Sequence, residues 1–212
     1  MSISRRTLNS IALGGLAATL FPPAPQAAQD KYAAILKADG QFGTYTQPWF
    51  LNSFLELADD LENARSAGKR FAIMWDQEGC PYCRETHLVN FSIPAVQDYV
   101  EANFDIVQMD IRGSREVTNF DGEVMSEKKL AALNLVRFTP TFQFFPETVE
   151  EVMGKSGKEA EVARIPGYMK PYFFLTHFQY VHEKAYTKTN FLKYLKSQVA
   201  DLTAKGQSVP NW

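Results

Sequence analysis

The chain has 212 residues, 45% hydrophobic and 22% charged, which favours a single domain able to bury a core without disulfide staples. Its 22 Lys and Arg against 24 Asp and Glu give a net charge of −2, so there is no basic footprint for nucleic acid. Only two cysteines occur, Cys80 and Cys83, which excludes a disulfide framework and a four-cysteine zinc site and leaves a dithiol as the obvious place for chemistry.

The N-terminus carries Arg5 and Arg6, an uncharged apolar run over residues 11–21, and small residues around Ala27 and Ala28. A basic start, a short apolar stretch and a small-residue site describe a secretory signal, and the paired arginines suggest the twin-arginine branch of bacterial export. An ordinary signal peptide with two adjacent arginines is the alternative. Residues 1–28 are therefore expected to be an export segment, and residues 29–212 one domain with its core at about 49–204. Loss of the segment takes the net charge to −4. No later stretch is long and apolar enough to anchor the chain, so a soluble protein of the periplasm is expected, where disulfides persist.

Residues 30–48 read as a polar arm. Apolar residues at helical spacing, Phe50, Phe54, Leu57 and Leu61, predict a helix over 49–67 that stops at Gly68. Residues 71–75 suit a buried strand, 80–91 a helix, 95–103 a second helical piece, and 104–111 a strand. A polar loop with Gly113 and Gly122 follows. Ser126 caps the next helix, 141–145 is a strand, and 162–165 returns from a turn at 153–157 as a hairpin strand. Two helices, 171–183 and 190–203, close the chain. The order predicts an α/β fold, a mixed central sheet flanked by helices, with N- and C-terminal helical extensions.

The chemistry concentrates in Gly79-Cys80-Pro81-Tyr82-Cys83-Arg84. A CxxC that follows a buried strand and opens a helix is more specific than the spacing alone. Unpaired N–H groups at the helix start favour a Cys80 thiolate, while Cys83, one turn deeper, keeps the higher thiol pKa. Cys80 is thus the expected nucleophile and Cys83 the resolving thiol, with Pro81 fixing the first turn. Two buried structural cysteines are the alternative. The second piece is Thr139-Pro140 just before a strand. A cis bond there turns the chain and frees the Thr139 backbone to pair with a bound peptide.

A CxxC at a helix start and a cis-proline ahead of a later strand recur together in the thioredoxin-like superfamily, which the chain resembles over about residues 71–203. The Gly79–Cys83 run with His87, together with Val107-Gln108-Met109-Asp110-Ile111, Arg137-Phe138-Thr139-Pro140-Thr141 and Pro166-Gly167-Tyr168, resembles the periplasmic thioredoxins of bacterial sulfur-oxidation systems, the SoxW type. The resemblance implies a thiol-disulfide oxidoreductase that keeps a cysteine-bearing partner of thiosulfate oxidation reduced. Such an enzyme needs no cofactor and is expected to draw its electrons from another thiol donor, a membrane reductant. Tyr82, Pro81, Thr139 and Pro140 are the expected substrate-binding residues.

Two departures stand out. The buried acid usual in the strand before the dithiol aligns with Met74, so a proton acceptor for Cys83 must come from elsewhere; Glu78 is the first candidate and Asp76 the second. Cys-Pro-Tyr-Cys is the glutaredoxin dipeptide, but no Gly-Gly glutathione-binding segment follows Thr141. That suggests a potential between the two families' values, roughly −200 to −270 mV. The rival readings are a disulfide-forming oxidant and a copper-binding chaperone using Cys80, Cys83 and His87. His177 and His182, in an aromatic-rich helix, are expected to be structural.

Overall fold

Seven consecutive residues of one strand, β3 (Arg70–Asp76), are buried, and the fold is organised around them. The computed structural model describes residues 36–37 and 45–212; the expected export segment, residues 1–28, lies outside them. β1 (Leu36–Lys37) and β2 (Tyr45–Thr46) form a small antiparallel pair. The main sheet has the order β4-β3-β7-β8, with β4 (Phe104–Asp110) parallel to β3, and β7 (Thr141–Phe144) and β8 (Ala163–Pro166) antiparallel. This is the mixed sheet expected from the sequence.

Side chains on a strand alternate between faces, so β3 serves two cores. Phe71, Ile73 and Trp75 pack with Leu57, Leu61 and Ala64 of helix α1 (Leu57–Ser66), with Val107 and Met109 of β4, and with Leu130. Ala72 and Met74 face the other layer, with Phe91, Val96, Phe142, Phe144, Phe174 and Phe178. That layer holds α2 (Pro81–Glu85), a π-helical turn (Thr86–Asn90), α3 (Pro94–Asn103) and, after α4 (Glu127–Leu133) and α5 (Val149–Val152) elsewhere, α6 (Pro171–His182). A 3₁₀ turn (Ala185–Thr187) leads to α7 (Phe191–Ala204). Among the described residues no helix is long and apolar enough to cross a membrane.

Three expectations are corrected. The first long helix begins at Leu57, not Trp49. Leu55 sits at φ +66°, held by the Ser53 hydroxyl, which accepts from Leu55 N at 2.6 Å and donates to Asp60 at 2.5 Å. Trp49 and Phe50 instead pack edge-on against Phe91, so their spacing served packing rather than a helix. The segment from 80 to 91 is not one α-helix, because a π turn interrupts it. The polar loop after β4 contains a hairpin, β5 (Glu116–Thr118) with β6 (Val124–Ser126). It is pinned by Glu127, a fully buried carboxylate that accepts from Asp110 N at 3.0 Å, Arg115 N at 3.3 Å and Arg115 Nη2 at 2.6 Å. Gly113 passes so close that a Cβ there would collide with this carboxylate. The cap on α4 is as expected: Ser126 Oγ accepts from Lys129 N at 3.3 Å.

Candidate functional site

The site forms where β3 ends. A short turn over residues 77–79, with Gly79 at φ +74°, delivers Cys80 to the N-cap of α2. Extended backbone at Cys80 aims its sulfur back at the helix, where Sγ accepts from Cys83 N at 3.2 Å. Pro81 occupies the first helical position, where its missing N–H costs nothing. Cys80 and Cys83 are joined as a disulfide. Cys80 is 8% exposed and Cys83 only 2%, so the first sulfur is the more exposed of the two.

The loop before β7 comes to the same place. The Thr139–Pro140 peptide is cis. The Thr139 hydroxyl donates to Cys80 Sγ at 3.3 Å, and the Thr139 carbonyl oxygen lies 3.4 Å from the same sulfur. Thr141 Oγ1 donates to Phe138 O at 2.7 Å, and Gly167 N donates to Pro140 O at 2.7 Å, which fixes the turn against β8. Tyr82 stands 60% exposed beside the dithiol, stacked on Tyr168 at 6.3 Å between ring centres.

The acid beside the sulfurs is Asp76, not Glu78. A carboxylate oxygen of Asp76 and both sulfurs all lie within 4.8 Å of one another. Asp76 is buried as the last residue of β3, whereas Glu78, in the turn, is exposed to solvent. Burial pushes the Asp76 carboxyl up to about 7, against the pull of donors from Gln77 N and Gln108 and with a further push from Asp110. Its two oxygens accept from Gln77 N at 2.6 Å and Gln108 Nε2 at 2.8 Å. A cavity of about 240 Å³ opens beside it, bounded by Tyr45, Asp76, Cys80, Pro81, Cys83 and Arg84. Gln108 and Tyr45 were not foreseen as part of this site. Gln108 sits two residues before Asp110, the register partner of Asp76, but its role depends on strand pairing that local sequence does not display.

His87 does not reach the dithiol's group of ligands. It is fully buried against Phe50 and Phe91, its Nδ1 is 3.2 Å from Gln47 Nε2, and burial lowers its pKa to about 3. Among the described residues, the ligands brought within reach of one ion are Asp76, Cys80 and Cys83. His177 is likewise buried, lying 4.0 Å from the Phe191 ring, and His182 Nδ1 is 2.9 Å from the Tyr99 hydroxyl.

A CxxC turn, a cis-proline loop against it and a β4-β3-β7-β8 sheet are joined by matches to known proteins. Residues 57–182 match the family model of a thioredoxin-like domain. Among solved structures, the chain is similar to a thioredoxin-fold protein from Helicobacter pylori, with 22% identity over 65% of this chain and 86% of that one and a TM-score of 0.50. A thioredoxin from Thermus thermophilus is 25% identical over 59% of this chain and 83% of that one, with a TM-score of 0.43. No curated protein matches the chain. The family match spans more than half the sequence and coincides with the sheet and the dithiol, and the chain belongs to the thioredoxin-like domain family.

Proposed function

We propose that the protein is an exported thiol-disulfide oxidoreductase that reduces a protein disulfide or a cysteine-bound sulfur adduct. The observation that carries this reading is the contact of Cys80 Sγ with both Cys83 N and the Thr139 hydroxyl. Two donors on the more exposed of the two sulfurs favour its thiolate, the attacking species in exchange.

In the reduced protein the Cys80 thiolate attacks a partner sulfur, a mixed disulfide forms, and the partner's other sulfur leaves as a thiolate. Asp76, with a pKa near neutrality, takes the proton of Cys83. The Cys83 thiolate then attacks Cys80 Sγ, the partner thiolate is released, and the Cys80–Cys83 disulfide remains. Two electrons pass from the dithiol to the partner, and a second thiol donor returns them. Pro81, Tyr82, Thr139 and Pro140 frame the partner segment, with the Thr139 backbone as its pairing edge. Asp76 replaces Glu78 as the proposed acid because only its carboxyl lies beside the sulfurs.

Export to the periplasm, a membrane thiol reductant and a partner from thiosulfate oxidation are parts of the proposal that rest on the N-terminal sequence and on the resemblance to sulfur-oxidation thioredoxins. Trapping tests them. Cys83→Ser halts exchange at the mixed disulfide, and expression in the native host should retain a cysteine-bearing sulfur carrier on Cys80. Recovery of a broad set of secreted proteins would instead favour the disulfide-forming reading.

A further inference from the structure

A second cleft, of about 650 Å³, lies beyond the cis-proline turn, between the end of α4 and the edge strand β8. Leu135, Phe138 and Pro166 supply its apolar wall, and Arg137, Lys158 and Arg164 its cations. Phe138 is 65% exposed, and Leu135, at φ +55°, is 52% exposed. Arg164 is committed to structure: it pairs with Glu161 at 2.7 Å and donates to Asn134 O at 2.7 Å and Leu135 O at 3.3 Å. That pairing also neutralises Glu161, the one carboxylate on the cleft. Arg137 has no hydrogen bond or ion pair among the described residues, and Lys158 acts on Glu161 only through space.

The cleft is continuous with the dithiol. Thr139 touches Cys80 Sγ, Phe138 precedes it, and Arg137 precedes Phe138. A partner chain crossing this turn in extended form advances roughly 3.3 Å per residue, so side chains about two to four residues from its reactive cysteine fall over Phe138 and Arg137. In a protein of net charge −2, two uncommitted cations beside exposed apolar groups select for the opposite sign.

We propose that this cleft is a specificity subsite for partner segments in which an apolar and an acidic residue flank the reactive cysteine. The apolar side chain packs on Phe138 and Leu135, and the carboxylate pairs with Arg137 and Lys158. The inference deepens the exchange activity proposed above and rests on it. Exposed ion pairs are individually weak, so the effect is a preference among partners and not a requirement.

The test uses peptides with one cysteine held as a mixed disulfide with thionitrobenzoate, identical except for two flanking Asp, Asn or Lys residues. In a single turnover the reduced protein should release thionitrobenzoate with a second-order rate constant about three- to tenfold higher for the Asp peptide than for the Asn peptide at low salt. The ratio should fall toward one at high salt, where screening is strong. Arg137→Gln with Lys158→Gln should abolish the ratio, and Arg137→Glu with Lys158→Glu should transfer the preference to the Lys peptide. The ratio within each protein cancels any change in dithiol reactivity. No Asp preference in the unaltered protein, or a preference that survives the double Gln change, overturns the proposal. Failure to release thionitrobenzoate from any peptide would overturn the exchange reading instead. In that event the subsite is decided by fluorescence anisotropy with cysteine-free versions of the peptides: tighter binding of the Asp peptide, lost in the double Gln variant, upholds it, and equal binding overturns it.

Discussion

Gln108 Nε2 donates to Asp76 Oδ2 at 2.8 Å and, at the same distance, to the backbone oxygen of Tyr45. One side chain on β4 thus ties the buried acid of the site to the N-terminal arm that borders its cavity. The donor also restrains the upward push that burial exerts on the Asp76 carboxyl. Gln108→Leu should raise that pKa further, by about one unit for the loss of one hydrogen bond to a charged group. The pH profile of mixed-disulfide resolution should move to higher pH, with little change in the initial attack by Cys80. An unmoved profile would show that Gln108 does not set the Asp76 proton affinity.

Asp76 and Glu78 are separable by substitution. Asp76→Asn should slow resolution by roughly 10²-fold near neutral pH through loss of the proton acceptor. Glu78→Gln should stay within about a factor of two, as expected of an exposed turn residue. Stability gives a second readout. The folded-state pKa of about 7 lies above the reference of 3.8, so the native protein binds more protons across that window and loses stability as pH rises through it. Asp76→Asn removes that cost and should be more stable than the parent at about pH 8, by about 2–4 kcal/mol, with no gain near pH 4. Urea denaturation at the two pH values measures it.

The Thr139 hydroxyl donates to Cys80 Sγ, the proposed nucleophile. Thr139→Val keeps the shape and removes the donor, so the Cys80 thiolate loses one of its two hydrogen bonds. The Cys80 pKa should rise by roughly one unit. Thiolate absorbance against pH reads the shift directly, and exchange should slow at neutral pH while recovering in alkali. An unchanged Cys80 pKa would limit Thr139 to a backbone role.

His177 tests the core instead of the site. Burial lowers its pKa to about 3, below the unfolded value near 6.5, so the unfolded chain binds the extra proton between those limits. Stability from this group is present above about pH 6.5 and is lost as pH falls toward 3. His87, with the same shift from the same cause, adds to that loss. His177→Phe, which keeps an aromatic ring beside Phe144 and Phe191, should flatten the acid side of the stability profile in urea titrations. An unchanged slope would place the acid sensitivity elsewhere.

The strand leading into the dithiol and the turn at Thr139-Pro140 were legible because each depends on local signals: an apolar run before CxxC, and proline before a strand. The start of α1 was not, since Trp49 and Phe50 have helical spacing but satisfy an aromatic cluster around Phe91. The β5–β6 hairpin was hidden because Glu127, in the following helix, supplies its anchor. The same reason explains the choice between the two acids. Glu78 and Asp76 are two residues apart, and only the long-range pairing of β3 with β4 decides that Asp76 is enclosed and beside the sulfurs.

The central claim is that Cys80 and Cys83 form a dithiol that reduces protein disulfides, and insulin reduction in the presence of dithiothreitol measures it most directly. Catalytic amounts of the protein should accelerate insulin precipitation, and Cys80→Ser should abolish the acceleration. Precipitation no faster than with dithiothreitol alone, or acceleration that persists in Cys80→Ser, would contradict the account.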